Sequence, residues 1–240
     1  MPIVLARPER DLTGARKRPR LASMRILITL LAAVTLVTSL PSRTEAHPHV
    51  FVDVTGSFVL NDSGQLEAVR IHWLYDAFTT LMVIQNLGLD PDRDGTLYEA
   101  DLNRIIEGET DWAPDYEGDT YLHIDGEKVR LSRPQKAWAE APGDQIGVGF
   151  TLSLGKPIDM TGRTATLELY DPIYYYAYTV TDKSAVEGPA GACRFEIIHF
   201  DPDEEIAKLQ DQLRALSREE IPDDPNVGGL FAETLELTCP

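Results

Sequence analysis

From Val50 onward the chain alternates short β-type segments with turn signals, and this pattern restricts the fold more than any other feature. The segments "HVFVDVTGSFVL" and "LEAVRIHWLY" flank the turn "NDSG", and "TYLHIDG" and "KVRLS" meet at Asp125 and Gly126. Both pairs are typical of β-hairpins. Further strands are predicted at residues 136–140, 145–154, 165–170, 174–181, 193–200 and 231–239. Many short strands separated by turns predict a mainly β fold of the α+β class, built as an antiparallel β-sandwich.

Two helical regions interrupt the strands. A helix-loop-helix insertion is predicted at about residues 77–107, and a later helix is predicted in "FDPDEEIAKLQDQLRALSREE". In the later helix we expect Asp201 to cap, Pro202 to occupy the first helical position and Glu204 to complete a capping box. Its apolar residues form one stripe, which favours packing on the sandwich over recruitment of a partner. The stripe consists of Ile206, Leu209, Leu213 and Leu216.

The amino-terminal segment has the layout of a secretory signal. An apolar run of 15 residues, 26–40, follows a basic cluster and precedes "PSRTEA", with Thr44 and Ala46 at the small-residue positions of a cleavage site. A membrane anchor is the alternative, but the run is shorter than the roughly 20 residues that span a bilayer. We therefore predict a signal peptide at residues 1–46, with Met24 as a possible true start, and one exported, soluble domain at 47–240.

The net charge indicates which ligands the chain favours, and its cysteine content indicates the compartment in which it folds. After residue 46 the chain holds 14 basic and 36 acidic residues, a net charge of −22. This excess repels nucleic acid and anionic membranes and favours cations, although charge alone fits simple solubility equally well. The two cysteines, Cys193 and Cys239, predict one disulfide in an exported chain. Free thiols or thiolate metal ligands are the alternatives.

The loop "DPDRDGTLYEAD", residues 90–101, resembles an EF-hand. Its predicted calcium ligands are Asp90, Asp92, Asp94, the carbonyl of Thr96, and Asp101. Two positions depart from the pattern, because Asp101 replaces the usual bidentate glutamate and Tyr98 reaches an ion only through water. We expect a structural Ca²⁺ or weaker Mg²⁺ site that braces the loop. The alternative is an acidic loop without metal.

Two histidines surround a proline in "AHPHVFVDV". If a strand begins at Val50, its period of two places His47, His49, Phe51 and Asp53 on one face. The α-carbons of the two histidines would be about 6.6 Å apart, so both imidazoles can reach one ion, whereas Asp53 lies about 13 Å beyond His49. Cleavage after Ala46 would add the amino group of His47. Pro48 has no N–H, which excludes the copper or nickel site that uses that backbone nitrogen.

Further ligands have to come from elsewhere in the fold. The candidates are His72, His123, His199, Asp76 and Asp171. Single histidines in strands are more often structural than ligating. Asp171 differs, because "YDPIYYYAY" breaks a strand with Asp-Pro before a dense group of aromatic residues, which fits either an ordinary turn or a carboxylate beside a cation site. The alternative for His47 and His49 is that they are solvated at a strand entrance.

Together, "AHPHVFVDV" after a signal peptide, the EF-like loop, "YDPIYYYAY" and the two cysteines resemble the exported domain-of-unknown-function family 1007. That family is described as the periplasmic component of an uncharacterised transport system. Its members occur beside nickel/cobalt-type permeases, and some are linked to zinc uptake. The resemblance implies a metal-related accessory role, with His47 and His49 matching the histidine motif and Asp171 the aspartate-proline motif. It implies no catalytic residue, so we do not predict an enzyme.

Three functional hypotheses follow. The first is a periplasmic protein that binds Zn²⁺, Ni²⁺ or Co²⁺ and assists a nickel/cobalt-type membrane permease, since imidazole ligands suit these metals. The second is a copper-binding redox enzyme that uses an amino-terminal histidine site. The third is a non-catalytic docking partner of a membrane transporter, with tyrosines as its contact surface. The first is the principal prediction.

Overall fold

The computed structural model describes residues 48–90, 92, 94–216 and 220–240. The predicted signal peptide and His47 lie outside these residues. The strands are β1 (Val50–Leu60), β2 (Leu66–Tyr75), β3 (Thr120–Ile124), β4 (Glu127–Val129), β5 (Gln135–Glu140), β6 (Gly147–Ile158), β7 (Thr164–Leu169), β8 (Tyr176–Val180), β9 (Ala185–Glu187), β10 (Arg194–Ile198) and β11 (Glu233–Thr238). The helices are α1 (Ala77–Leu87), α2 (Glu99–Thr110), α3 (Glu204–Arg214) and a 3-10 helix, Val227–Phe231.

The strands form two open sheets. The first sheet has the order β5-β6-β2-β1-β8, with β9 also paired to β1, and the second has the order β10-β11-β7-β3-β4. Both predicted hairpins are present, as β1-β2 and β3-β4. In the first turn the Asn61 side chain accepts the backbone N–H groups of Ser63 and Gln65. Two sheets with three α-helices confirm the mainly β, α+β class.

β1 departs from the predicted antiparallel arrangement. It pairs antiparallel with β2 but parallel with β8 and β9. The strand that precedes β8 in the chain, β7, belongs to the second sheet. The connection to β8 therefore crosses between the sheets, and β8 is not the hairpin partner of β1. Long connections of this kind are what parallel pairing requires.

The interior contains side chains from both sheets. Phe58, Phe150, Leu167 and Leu235 are fully buried, and each such side chain contributes about 1.5–3 kcal/mol through its removal from water. Gly56 of β1 lies against the second sheet, because a Cβ atom there would lie 2.5 Å from Leu235 Cδ1. A larger residue at this position would force the Leu235 side chain to move.

A disulfide links the ends of the last two strands of the second sheet, β10 and β11. Cys193 and Cys239 are bonded, and they flank the paired strands β10 and β11. The prediction of this disulfide is confirmed.

The helices agree with the sequence except at one cap. The predicted helix-loop-helix between β2 and β3 is present as α1 and α2, and it extends to Thr110. The expected cap of α3 at Asp201 is wrong: the helix begins after Asp203, whose Oδ1 accepts the N–H groups of Glu205 and Ile206, both at 2.9 Å. Pro202 therefore precedes the helix.

The apolar stripe of α3 is buried or half-buried, but in a cluster separate from the main core rather than directly on the sheets. Leu213 is buried with Tyr174, Val227 and Phe231 in a small second core, and the other stripe residues contact it. Over the residues that the structure describes, no helix has both the length and the apolar character needed to cross a bilayer.

Candidate metal-binding sites

His49 lies immediately before β1, on the outward face predicted for it. Val52 and Val54 point into the core and are 1% and 0% exposed, whereas Phe51 and Asp53 are exposed. The half-buried His49 packs its ring against Tyr175, with centroids 4.6 Å apart. The His49 N–H also donates to the Tyr175 carbonyl at 2.8 Å. The position of His49 is thus set by the chain that leads into β8.

Asp171 shapes the turn that precedes β8. Its Oδ2 accepts the N–H groups of Tyr175 at 2.6 Å and Tyr176 at 3.1 Å, and its Oδ1 accepts that of Ile173 at 3.3 Å. Tyr174, inside the turn, has a left-handed φ of 58°, which costs energy in a residue with a side chain. The carboxylate therefore stabilises a strained turn, a role that its Asp-Pro sequence signalled.

One residue connects the two predicted ligands. The Tyr175 N–H donates to Asp171 Oδ2, and the Tyr175 carbonyl accepts the backbone N–H of His49. The sequence placed both residues in the same predicted site but gave no sign of this link.

The other candidate ligands have structural contacts. His72 Nε2 lies 3.3 Å from Glu140, while His123 Nδ1 and His199 Nδ1 each lie 3.2 Å from a glutamate, Glu168 and Glu233 respectively. His72 also stacks on Trp138, and burial lowers its pKa. Asp76 caps α1 by accepting the N–H groups of Phe78 and Thr79.

The acidic loop between α1 and α2 brings three of its predicted ligands together. Within the described parts of the chain, Asp90, Asp92 and Asp94 are the one group of three or more potential ligand residues whose atoms lie within 4.8 Å of one another. Gly95 has a φ of 80°, as the sharp turn requires. Carboxylate oxygens at this spacing suit a hard cation such as Ca²⁺.

The remaining loop positions have other contacts. Asp101 is 8% exposed and its Oδ2 accepts the Tyr98 N–H at 3.1 Å, which caps α2. The Tyr98 hydroxyl donates to Asp94 Oδ2 at 2.9 Å, and this hydrogen bond lowers the pKa of Asp94. The Thr96 N–H donates to Asp94 Oδ1 at 2.7 Å. Asp101 and Tyr98 thus act within the protein, where the EF-hand pattern expects metal ligands.

A buried tyrosine-carboxylate cluster was missed by sequence reasoning. Asp119, 4% exposed, accepts the hydroxyl groups of Tyr116 at 2.9 Å and Tyr178 at 2.7 Å. Burial raises the pKa of Asp119 to about 7, although the Tyr178 hydrogen bond opposes the shift and the charge of Asp171 adds to it. Such a perturbed carboxyl group is characteristic of functional sites, but buried structural networks also produce it.

A second tyrosine-carboxylate pair lies at the half-buried Glu109, which accepts the hydroxyl of the buried Tyr75 at 2.6 Å. Burial raises the pKa values of both groups. The charges of Glu109 and Asp119 both act on Tyr176, whose pKa burial chiefly raises to about 12. The cluster thus keeps its phenols protonated and favours the neutral form of its carboxyl groups.

Comparison with known proteins gives two matches. A family described as "Protein of unknown function (DUF1007)" matches residues 32–239. A protein of Haemophilus influenzae, described as "Uncharacterized protein", is 26% identical over 198 residues, which cover 81% of this chain and 91% of that protein. The similarity therefore extends over both sheets and the helices.

Proposed function

Since the chain belongs to the DUF1007 family, we propose that it is an exported accessory protein that binds a divalent transition metal, Zn²⁺, Ni²⁺ or Co²⁺, and assists a membrane metal permease. The signal peptide at residues 1–46 and the periplasmic location are parts of this proposal. So are the β-sandwich arrangement of the two sheets and the EF-hand character of the helix-loop-helix.

The observation that supports metal binding best is the link between His49 and Asp171 through Tyr175. The backbone N–H of His49 and the carboxylate of Asp171 both bond to the backbone of Tyr175, and imidazole and carboxylate donors suit Zn²⁺, Ni²⁺ and Co²⁺. Asp171 Oδ2 accepts two backbone N–H groups, whereas Oδ1 accepts one at 3.3 Å. Since a carboxylate offers about four lone-pair positions, Asp171 retains accepting capacity, mostly at Oδ1.

His47 completes the proposed site. Cleavage after Ala46 would place its imidazole and its free amino group two residues before His49. Three nitrogen donors and one carboxylate would supply the four ligands that zinc prefers. The net charge of −22 after residue 46 raises the local concentration of cations around the protein.

The acidic loop has a separate role in this proposal. Ca²⁺ bound by Asp90, Asp92 and Asp94 would neutralise three carboxylates that lie close together. Asp101 caps α2 and Tyr98 binds Asp94, so the loop has fewer available ligands than a calcium sensor. We propose that it braces α1 against α2.

The test is titration of Zn²⁺, Ni²⁺ and Cu²⁺ into correctly processed protein by calorimetry. His47→Ala, His49→Ala and Asp171→Asn should each weaken binding, by about 10-fold or more for the histidines. His123→Ala is the matched control, because His123 belongs to the second sheet. Affinity should fall as the pH drops through about 6.5, since imidazole must be deprotonated to bind.

Two results would change the conclusion. Unchanged affinity in both His47→Ala and His49→Ala would place metal binding elsewhere. A form with one extra residue before His47 separates the remaining alternatives: if only this extension abolishes binding, and the metal is Cu²⁺, an amino-terminal copper site of a redox enzyme is favoured over delivery to a permease.

A further inference from the structure

A cleft lies between the segment of residues 112–117 and the chain from β4 to Arg133. Its volume is about 610 Å³, within the range of small-molecule sites. Of the residues proposed for metal binding that the structure describes, none lines it.

Three basic side chains line the cleft, although the protein as a whole is acidic. Lys128, Arg130 and Arg133 line it, and they are three of the 14 basic residues that follow residue 46. The overall negative charge does not decide what binds, since charges beyond about 8 Å are largely screened at physiological ionic strength. The local groups therefore determine the sign of a ligand.

Two of the three cations are held in place by the fold. The Arg133 guanidinium lies over the Trp112 ring, 5.8 Å from its centroid, and donates to the carbonyls of Trp112 and Ala113. The Lys128 ammonium lies 5.0 Å from the Tyr121 centroid and 2.6 Å from Glu117. Cations fixed in this way lose little side-chain entropy on binding a ligand. Arg133 is not neutralised by its carbonyl partners, so its charge remains available.

Arg130 is the third cation. Among the residues that the structure describes, it forms neither an ion pair nor a hydrogen bond, and its side chain is exposed at the cleft. Two carboxylates also line the cleft, Asp115 and Glu117, and Glu117 is paired with Lys128. Arg130 and Arg133 together thus exceed the charge of Asp115.

The rest of the wall consists of apolar and aromatic side chains together with the hydroxyl residues Thr120 and Ser132. Pro114, Tyr116, Val129 and Leu131 line the cleft with Trp112, and Tyr116 is 38% exposed. A ligand that fits this wall carries a flat apolar body, while guanidinium groups match the two oxygens of a carboxylate.

We propose that this cleft binds a small organic anion in which a carboxylate is attached to a flat apolar group. The carboxylate contacts Arg130 and the free donors of Arg133, and the apolar group lies against Tyr116 and Leu131. This site is independent of the proposed metal site.

Three probes separate the two parts of the ligand. Benzoate carries both a ring and a charge, benzamide carries the ring without the charge, and acetate carries the charge without the ring. We expect calorimetric titration of the processed, disulfide-bonded protein to show saturable binding of benzoate with a Kd on the order of 1 mM or lower. Benzamide and acetate should each bind at least about 10-fold more weakly.

Variants then locate the binding. Arg130→Gln should weaken benzoate binding about 10-fold or more without a change in stability, because Arg130 has neither an ion pair nor a hydrogen bond to lose within the described structure. Arg133→Gln should weaken it also, with some loss of stability in the 112–117 segment. Lys156→Gln removes an exposed cation elsewhere and should leave binding unchanged.

Three results would overturn the proposal. They are the absence of saturable benzoate binding, equal binding of benzamide, and a loss of affinity in Lys156→Gln as large as that in Arg130→Gln.

Discussion

The Asp119 carboxylate accepts a hydrogen bond from the Tyr178 hydroxyl at 2.7 Å, and both side chains are buried. Tyr178 belongs to β8 of the first sheet, while Asp119 directly precedes β3 of the second. This contact connects the two sheets through a titratable group. Stability should therefore depend on its protonation.

We predict that Asp119 makes the protein less stable as the pH rises from about 4 to about 7. Its pKa is raised from 3.8 to about 7, so the folded state binds the proton more tightly than the unfolded state does. Protonated Asp119 contributes fully to the free energy of unfolding below about pH 4. This contribution, up to about 4 kcal/mol, is lost as the pH rises through about 7. Asp119→Asn, which does not ionise, should remove this dependence.

The measurement is urea unfolding at several pH values between about 4 and 8. Asp53→Asn is the control, because Asp53 is exposed on the outer face of β1. Parallel stability curves for wild type and Asp119→Asn would refute the prediction.

Asp171→Asn should destabilise the protein by about 2 kcal/mol. The substitution can put an amide N–H₂ where Oδ2 now accepts the N–H groups of Tyr175 and Tyr176, so that donors face donors in a half-buried turn, and polar groups left without partners cost about 1–3 kcal/mol. Denaturant unfolding measures the change, with the exposed Asp182→Asn as control. Equal midpoints for the two variants would show that the turn does not need the carboxylate.

Calcium should raise the melting temperature. An ion that binds only the folded state stabilises it by about 2.7 kcal/mol at a concentration of 100 times Kd. Asp92→Ala combined with Asp94→Ala should abolish the effect, whereas the exposed pair Asp53→Ala and Asp182→Ala should not. The same melting temperature in calcium and in chelator would identify the loop as an acidic turn.

Tyr98→Phe tests the same loop in the opposite direction. The Tyr98 hydroxyl binds Asp94 Oδ2, and calcium would have to displace it. Removing the hydroxyl should tighten calcium binding about three- to 10-fold, measured by calorimetry. Weaker binding would instead indicate that Tyr98 assists the ion.

Reduction of the Cys193–Cys239 disulfide should lower the free energy of unfolding. The bridge closes a loop with a sequence separation of 46, which corresponds to about 4 kcal/mol in the chain-entropy treatment. Cys193→Ser combined with Cys239→Ser should behave like the reduced protein. Two alkylatable thiols in protein exported to an oxidising compartment would contradict the bridge itself.

Short sequence patterns correctly predicted the hairpin turns and the inward face of β1. Asn61 and Gly64 in one hairpin turn, and Asp125 and Gly126 in the other, supply the conformations that tight turns need. The alternating valines of β1 likewise identified its inward face. The cap of α3 was misplaced by two residues because "DPDE" offers two aspartates, and which one reaches the free N–H groups depends on the path of the preceding chain.

Contacts between residues far apart in the sequence could not be predicted from local sequence patterns. Val50 pairs with Tyr176 across 126 positions, so neither segment alone reveals that the strands are parallel. Asp119 is hydrogen-bonded to Tyr178, 59 positions away. His49 and Asp171 were both recognised as candidates, but their connection through Tyr175 exists only in the folded chain.

The parallel pairing of β1 also sets an order of events during folding. β1 emerges from synthesis early and can pair at once with β2, but its other edge stays open until β8 and β9 have followed. Contacts so distant in sequence form slowly, and an open strand edge is prone to pairing with other chains. Tyr175, which fixes His49, arrives with β8. A chain that ends before residue 175 can form the first hairpin, but it would leave His49 without its anchor.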